Sequence, residues 1–515
     1  MSLKPTLLMS FELTSVLADM ERTGWCIDTE ALGVIEKDYT DELGVLKPRL
    51  QEIIREVMGD TPINLDSGDD LSKLLYSRSV KDKRAWAAKF NLGTEWRGAS
   101  RKPKRRAEYR KKVFRTLVVQ MTDVMHKTDA CRCVKCSGKG HTYPTKKDGT
   151  SSKAKRVCRQ CGGKGIEYVP STKVAGLKLV PRTALDTCTS GFACNSDTLK
   201  AQAPNLTGVA QEFVTKFMRY NAIKTYLKTF VLGIKNELQG NMVYVGLNQT
   251  VVVTGRLSSR FHNMPRESTF PVRRAIVSRF EGGSIMVGDF AQLEFRVAGF
   301  LSTDPQVYRD IEEGVDVHER TAKIMKLEEV YDDFKQARQA AKADTFKPLY
   351  GGTAGSPRQM LYYQKFKDHY EGITAWHDRL AIEALTHRKI TLPSGREYSF
   401  PNVRRTKWGS VTSITAIKNY PVQGFATGDL LPIALIGCHR RLQEAGCQSL
   451  IIYTQHDSII LDVHPDEVKI VLDILRESML SLPLECRERY GIEYDMPVEI
   501  EVKVGPNWLE GKEVG

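Results

Sequence analysis

Two aspartates stand where short apolar runs give out. Ser284-Ile-Met-Val-Gly-Asp289 reads as a buried strand ending in a carboxylate. Tyr453-Thr-Gln-His-Asp457-Ser458 reads as a hairpin tip between Ile451-Ile452 and Ile459-Ile460-Leu461. A carboxylate at the end of a buried strand is costly unless its charge is offset, and a divalent cation is the usual offset. Each residue alone has a plainer reading: a cap at a strand-to-helix turn for Asp289, a turn residue for Asp457. A third group is Arg338-x3-Lys342-x3-Phe346-x3-Tyr350-Gly351. Steps of four residues drift by about 40° around a helix, so two cations, a Phe and a Tyr line one slowly winding face. The cations suit a triphosphate, and the aromatic beyond them suits a sugar or base. An amphipathic core helix is the alternative, although cores rarely keep Arg and Lys on one stripe with Phe. Pro348 falls inside this stretch, where it removes the hydrogen bond to the Asp344 carbonyl and should kink the helix.

A separate pattern concerns sulfur. C-x-x-C-x-G-x-G is written twice, as Cys133–Gly140 and Cys158–Gly165. Two such knuckles supply the four thiolates, Cys133, Cys136, Cys158 and Cys161, that a structural Zn²⁺ takes in a tetrahedron. The glycines let the backbone turn so that its N–H groups face the sulfurs. Four unpaired thiols would leave the repeated glycines unexplained. Cys131 is spare, His141 reads as a surface residue, and Cys188 and Cys194 have no matching pattern. The repeat resembles the zinc repeats of J-domain chaperones, a likeness that implies a zinc ribbon and nothing more.

These groups need elements to carry them. Residues 10–80 read as mainly helical, with Asn64–Ser67 as a turn and N-cap before Leu71, Leu74 and Leu75. Helical periodicity returns from Ser196 to Leu238 and again over 316–388, while Met242–Val253 turns to β-branched alternation. The chain has 515 residues, 27% charged and 41% hydrophobic, which excludes wholesale disorder. No apolar run reaches the roughly 18 residues that cross a bilayer. Met1–Leu13 does not read as a secretory signal, so a reducing compartment and metal-bound cysteines are expected rather than disulfides. The net charge of +14 is unevenly spread. Residues 81–190 hold 28 Lys and Arg against 8 Asp and Glu, a net of +20, and the remainder sums to −6. The densest run, Arg101–Arg115, includes Arg101, Lys102, Lys104, Arg105 and Arg106 and reads either as a solvated charge run or as a phosphate contact.

In order and spacing, the Asp289, Arg338–Tyr350 and Asp457 segments resemble motifs A, B and C of family A (DNA polymerase I-like) DNA polymerases. Thr254-Gly-Arg256-Leu-Ser-Ser259, Asn263-Met-Pro265, Asp316-Val-His318, Thr391-Leu-Pro-Ser-Gly-Arg396 and Asn419-Tyr-Pro-Val-Gln423-Gly424 resemble further segments of that family, as Val16–Leu32 resembles the start of its thumb. The likeness covers about residues 10–80 and 194–510. It implies an α+β right-hand fold with an antiparallel-sheet palm, helical fingers and a helical thumb. The thumb would be 1–80 and 191–238, the palm 239–315 and 406–515, the fingers 316–405, and 81–190 a basic zinc-binding insertion at the thumb tip.

By the same resemblance, Asp289 and Asp457 hold two Mg²⁺ ions, and Lys342 joins them in catalysis. Arg338, Lys342 and His318 hold the triphosphate, Phe346 packs on the deoxyribose, and Tyr350 stacks near the templating position. Glu294 is the gate against the 2′ position, and Gln292 lies beside it in the dNTP site. Arg256, Asn419, Gln423 and His456 contact primer–template DNA. Ser458 replaces the usual third acid of motif C, and Phe290 replaces the usual Tyr of motif A. About ten residues precede the thumb signature, so no 3′–5′ exonuclease is expected in the chain, and a separate exonuclease or processivity factor is a candidate partner. The arrangement suggests a bacteriophage replicative enzyme, although a bacterial prophage or accessory polymerase would look the same; a cytoplasmic setting, the host's if phage-encoded, with no membrane partner is expected. A single-subunit RNA polymerase is disfavoured by Glu294 and Phe346. A zinc-ribbon binding protein with a decayed polymerase hand is disfavoured by the intact Asp289, Lys342 and Asp457.

Overall fold

The computed structural model describes residues 4–80, 122–145, 149–151, 153–181, 192–266, 268–331, 333–352, 355–407 and 409–514. The chain divides into two compact units, Met1–Glu36 with Lys228–Gly515, and Lys37–Leu227. Among the described residues no helix is long and apolar enough to cross a membrane.

The larger unit is organised by a five-stranded antiparallel sheet. Its order is Leu450–Gln455, Ser458–Val463, Ser284–Phe290, Ile500–Gly505 and Lys512–Glu513. The two hairpin strands are buried almost throughout, which explains why Leu450–Tyr453 and Ile459–Leu461 are unbroken apolar runs instead of alternating. On one face the helix Val468–Leu480 crosses close to the central strand. A Cβ at Gly288 would lie 2.7 Å from Met479 Sδ, so any larger residue would make Met479 and Leu475 shift. An aromatic group is built around Trp25, which is fully buried. Its ring centroid lies 4.9 Å from Tyr453, 5.5 Å from Phe261 and 5.8 Å from Trp508, and its Nε1 donates to the Ile452 carbonyl at 3.2 Å.

Between 305 and 369 the chain forms four short α-helices, each begun by a side-chain cap. Asp304, Asp316, Asp333 and Ser356 accept from the first backbone N–H groups of Pro305–Glu312, Val317–Ile324, Phe334–Thr345 and Pro357–His369. Asp310, 1% exposed, ties the first, second and fourth of these together. Its carboxylate accepts from Gln306 Nε2 at 2.8 Å, Tyr370 Oη at 2.6 Å and both terminal nitrogens of Arg320. Burial alone would raise this carboxyl, but hydrogen bonds from Arg320, Tyr370 and Gln306 outweigh it and bring it down to about 2. The stabilisation is therefore fully present above the ordinary value of 3.8 and is lost as pH falls through about 2. Asp310→Ala leaves Arg320 without its partner and should cost about 3–5 kcal/mol, measured by denaturant unfolding. A cost below about 1 kcal/mol, the value of an ordinary surface pair, would remove Asp310 from this role.

Two expectations are corrected here. The helix carrying Arg338 and Lys342 does not continue through Tyr350. It ends at Thr345, with Phe346 as its C-cap at φ −99°, ψ 3°. Pro348 therefore lies in a turn beyond the helix instead of kinking it. The turn closes with Gly351 N donating to Pro348 O at 2.9 Å and Gly352 N to Lys347 O at 2.7 Å. Buried Asp344 replaces what the helix loses, accepting from Lys347 Nζ at 2.7 Å and Gln359 Nε2 at 2.8 Å. The second correction concerns Met242–Val253, where only Met242–Val243 is a strand and the rest is irregular apart from an isolated bridge of Asn248 with Ser258, with Val251 and Val253 exposed.

The smaller unit packs the part of the helix Thr29–Met58 that follows Glu36 with the helices Gly68–Tyr76, Ser196–Gln202 and Gly208–Tyr226. Ser67 caps Gly68–Tyr76 as its sequence predicts, accepting from Asp70 N at 3.3 Å. Paired forks join the long helices: Arg219 to Glu42 at 2.7 and 2.8 Å, and Arg49 to Glu212 at 2.8 and 2.9 Å. A long hairpin, His126–Arg132 with Ile166–Val174, leaves this helical base. It is fastened there by Asp60 N to Thr128 O at 2.7 Å and Ala130 N to Asp60 Oδ2 at 2.8 Å.

Candidate active site and cysteine centre

The strand register brings the two predicted aspartates together. Asp289, one residue from the end of the central strand, pairs with Ser458, and Phe290 N donates to Asp457 O at 3.2 Å. The carboxyl groups of Asp289 and Asp457 lie close enough for each to perturb the other's titration. Burial pushes both above the usual carboxylate range. The Asp457 charge adds to the rise at Asp289, while the exposed Arg266 guanidinium pulls both down. Asp289 Oδ1 is buried with no hydrogen-bond partner. Two crowded acids and an orphaned carboxylate oxygen fit a divalent cation, which would satisfy the lone pairs and offset the charge.

Ser458 is turned away from this centre. Its hydroxyl donates to Gln455 O at 2.7 Å, and its own carbonyl accepts from Thr454 Oγ1 at 2.8 Å, so it stitches the hairpin tip. Glu501, opposite Asp289 on the next strand, raises Asp289 further. Sequence reasoning missed Glu501 and Arg266. Glu501 sits in an ordinary alternating strand, and only its pairing register reveals it. Arg266 follows the Asn263-Met-Pro265 segment already singled out, so its position was a usable signal.

The turn after Asp289 is held by Arg296, which is 5% exposed. It donates to Ala291 O at 2.8 Å and to Pro497 O at 2.7 Å. Gln292 takes a left-handed conformation, φ 52°, and starts the helix Leu293–Ser302 that presents Glu294. Burial pushes the Glu294 carboxyl up, opposed by the Arg256 charge and a hydrogen bond with Gln423. Tyr350 Oη donates to Glu294 Oε2, which links the turn beyond Phe334–Thr345 to the helix Leu293–Ser302. Phe346 lies beside Phe295 at 5.7 Å and His318 at 5.4 Å between ring centroids.

Arg338 Nε donates to Asp316 Oδ2 at 2.6 Å, joining its helix to the one that carries His318. His318 Nδ1 lies 3.0 Å from Thr345 Oγ1, and burial, aided by the Lys342 and Arg338 charges, lowers the imidazole to about 4. It is neutral at pH 7 and offers a hydrogen bond, not a charge. Lys342 is exposed and makes no ion pair among the described residues. Arg256 is hydrogen-bonded to His456 Nδ1 and feels the charges of Glu294 and Asp457, while its buried Nε has no partner. Gln423 accepts from Thr254 Oγ1 at 3.0 Å, and the buried Asn419 Oδ1 is unpartnered. Arg101, Lys102, Lys104, Arg105 and Arg106 lie outside the described residues.

The cysteine centre forms at the far end of the long hairpin of the smaller unit. The four Sγ atoms of Cys133, Cys136, Cys158 and Cys161 lie within 4.8 Å of one another, and all four residues are buried. Cys133–Cys158 is 3.8 Å and Cys136–Cys161 is 3.7 Å. Sulfurs each about 2.3 Å from one tetrahedral ion would stand about 3.8 Å apart, so these spacings fit Zn²⁺. The two knuckles answer each other bond for bond. Cys133 N donates to Gly165 O at 2.9 Å and Cys158 N to Gly140 O at 3.0 Å. Gly140 N donates to Cys136 Sγ at 3.3 Å and Gly165 N to Cys161 Sγ at 3.2 Å, the N–H···S contacts the glycine spacing predicts.

Crowded carboxylates at the ends of adjacent antiparallel strands, linked through Glu294 and Tyr350 to a turn that follows a cationic helix, make a centre suited to phosphoryl transfer. The family model described as DNA polymerase family A matches residues 174–510, and the chain belongs to that family. The thermostable DNA polymerase I of Thermus filiformis is 31% identical over 287 residues, covering 53% of this chain and 33% of that protein. DNA polymerase I of Streptococcus pneumoniae serotype 4 is 26% identical over 341 residues, covering 63% of this chain and 37% of that protein. The chain thus spans about a third of the length of the curated relatives it matches. A solved structure of the POL domain of Pol1 from M. smegmatis, in complex with DNA primer-template and dNTP, superposes with a TM-score of 0.66 at 18% identity. That match covers 97% of this chain and 70% of that one, and it establishes the fold.

Proposed function

We propose that the chain is a template-directed DNA polymerase that adds dNTPs to a primer 3′-hydroxyl. The observation that carries this reading is the meeting of Asp289 and Asp457, with one buried carboxylate oxygen left unpartnered. These two residues would hold the Mg²⁺ ions, which when bound lower the pKa of the attacking hydroxyl and offset charge on the leaving pyrophosphate. The remaining roles belong to the chain itself. Lys342 and Arg338 supply cations for the triphosphate, and His318 supplies a neutral hydrogen-bonding edge. Phe346 offers a flat face to the sugar. Arg256, His456, Gln423 and Asn419 present polar groups to the primer–template, two of them with buried atoms that lack any protein partner. Primer extension with Mg²⁺ and dNTPs tests the proposal, and an inactive wild-type chain on a matched primer–template would overturn it.

Glu294 is the proposed gate against a 2′-hydroxyl. Its carboxylate accepts from Tyr350 Oη, so a ribose oxygen placed there meets a held side chain. Glu294→Ala should raise rNTP use relative to dNTP by about 10²-fold, the size expected when a pocket loses one well-placed group. Equal discrimination in competition assays before and after the change would remove the gate from Glu294. We also propose that Cys133, Cys136, Cys158 and Cys161 hold one structural Zn²⁺.

A further inference from the structure

The knuckles carry charge that neither the sulfur centre nor the fold uses. Between Arg132 and Lys164 the described residues include eight Lys and Arg and no Asp or Glu. All eight are exposed. None is ion-paired among the described residues, whereas cations on the helices of the same unit are matched, as Arg49 is by Glu212, Arg219 by Glu42 and Lys224 by Asp66. Unmatched like charges on so small an element repel one another, and a polyanion would relieve them.

Their placement is built in. Lys139 and Lys164 occupy the same position of the repeated octapeptide, and Lys135 and Arg159 lie between the cysteines of each knuckle. The two loops are fixed back to back by glycine. A Cβ at Gly140 would fall 2.3 Å from Gly163 O, and one at Gly165 would fall 2.4 Å from Gly138 O. The cations therefore ride on a rigid pair of turns rather than on a loose tail. The segment Arg132–Lys164 offers a single exposed aromatic of the Phe, Trp and Tyr type, Tyr143, which is too little for a base-stacking platform of the kind that holds single strands. Cations without stacking rings suit a continuous phosphate backbone, and a duplex carries one charge per roughly 1.7 Å of its axis.

We propose that the cysteine ribbon is a second nucleic-acid grip, binding the phosphate backbone of duplex DNA through Lys135, Lys139, Arg159 and Lys164. It rests on the polymerase reading only for the choice of duplex DNA as the polyanion. The test uses the full chain and a variant with Lys135→Gln, Lys139→Gln, Arg159→Gln and Lys164→Gln. A fluorescein-labelled primer–template is the probe, and its affinity is measured by anisotropy across a salt series. Each phosphate contact contributes about 0.9 to the slope of log K against log salt, so the variant's slope should be shallower by about 2–4. Its products should also be shorter under single-hit conditions. An unchanged slope overturns the proposal, as does a change seen with single-stranded DNA alone. Bound zinc equal to that of the wild type shows that the ribbon is intact. If zinc is lost, the pair Lys135→Gln and Lys139→Gln alone should still lower the slope by about 1–2, and an unchanged slope there also overturns the grip. Single-nucleotide incorporation by the wild-type chain tests the polymerase reading separately, so the two failures are distinguishable.

Discussion

Asp457→Asn should slow nucleotide addition by about 10³-fold or more while leaving primer–template binding and the fold in place. The expectation follows from what the side chain does and does not hold. The hairpin tip is closed by Ser458, Gln455 and Thr454, none of which depends on the Asp457 carboxylate. Asparagine keeps the volume and loses the charge. Charge stabilisation by bound metal is worth several kcal/mol, and each 1.36 kcal/mol is tenfold in rate. The accompanying stability change has the opposite sign. Burial raises the Asp457 carboxyl in the folded state, so its ionised form weighs against folding at neutral pH when no cation offsets it. In magnesium-free buffer the variant should melt at or above the wild-type temperature. Rapid-quench incorporation, anisotropy and thermal melting read the three quantities. Extension within tenfold of wild type would refute the assignment, and so would a loss of activity that merely tracks a lower melting temperature.

Removing metal from the cysteine centre should unfold the ribbon and leave the five-stranded sheet untouched. The four cysteines form a buried cluster of their own at the ribbon's end. The hairpin leading to them leaves Ile166, Val169 and Val174 exposed. An element with so little apolar core depends on the ion for much of its stability, and structural zinc supplies about 10–16 kcal/mol in such small folds at neutral pH. Cys158→Ser or a thiol-reactive mercurial should therefore release one zinc per chain and abolish amide protection over 126–174. Protection over Ser284–Phe290 and Leu450–Val463 should persist. Zinc-free protein that keeps its protection in the ribbon would show that the thiols hold together without an ion.

Much of this was legible before the fold. An apolar run that ends in Asp289, a hairpin that turns at Asp457 and a cap at Ser67 are local properties, set by neighbours in sequence. The knuckles are local too, because each places its own cysteines and glycines. The end of the helix carrying Arg338 and Lys342 is not legible in the same way, since four-residue spacing continues past Thr345 although Pro348 cannot donate and the buried Asp344 builds a turn instead. The alternation over Met242–Val253 misled for a related reason. Alternation describes a face, but a strand also needs a partner, and only Met242 and Val243 find one on Trp25–Ile27.

By itself the sequence determined the chemistry on offer: two acids, a cationic helix, four thiols and an uneven charge. Which groups meet was decided by tertiary structure. Glu501 reaches Asp289 through strand register, Arg266 acts on both acids through space, and Tyr350 finds Glu294 across 56 residues of chain. The physical reason is that spacing along a chain controls only what one element can present, whereas the field at a carboxylate sums over every charge that packing brings near it.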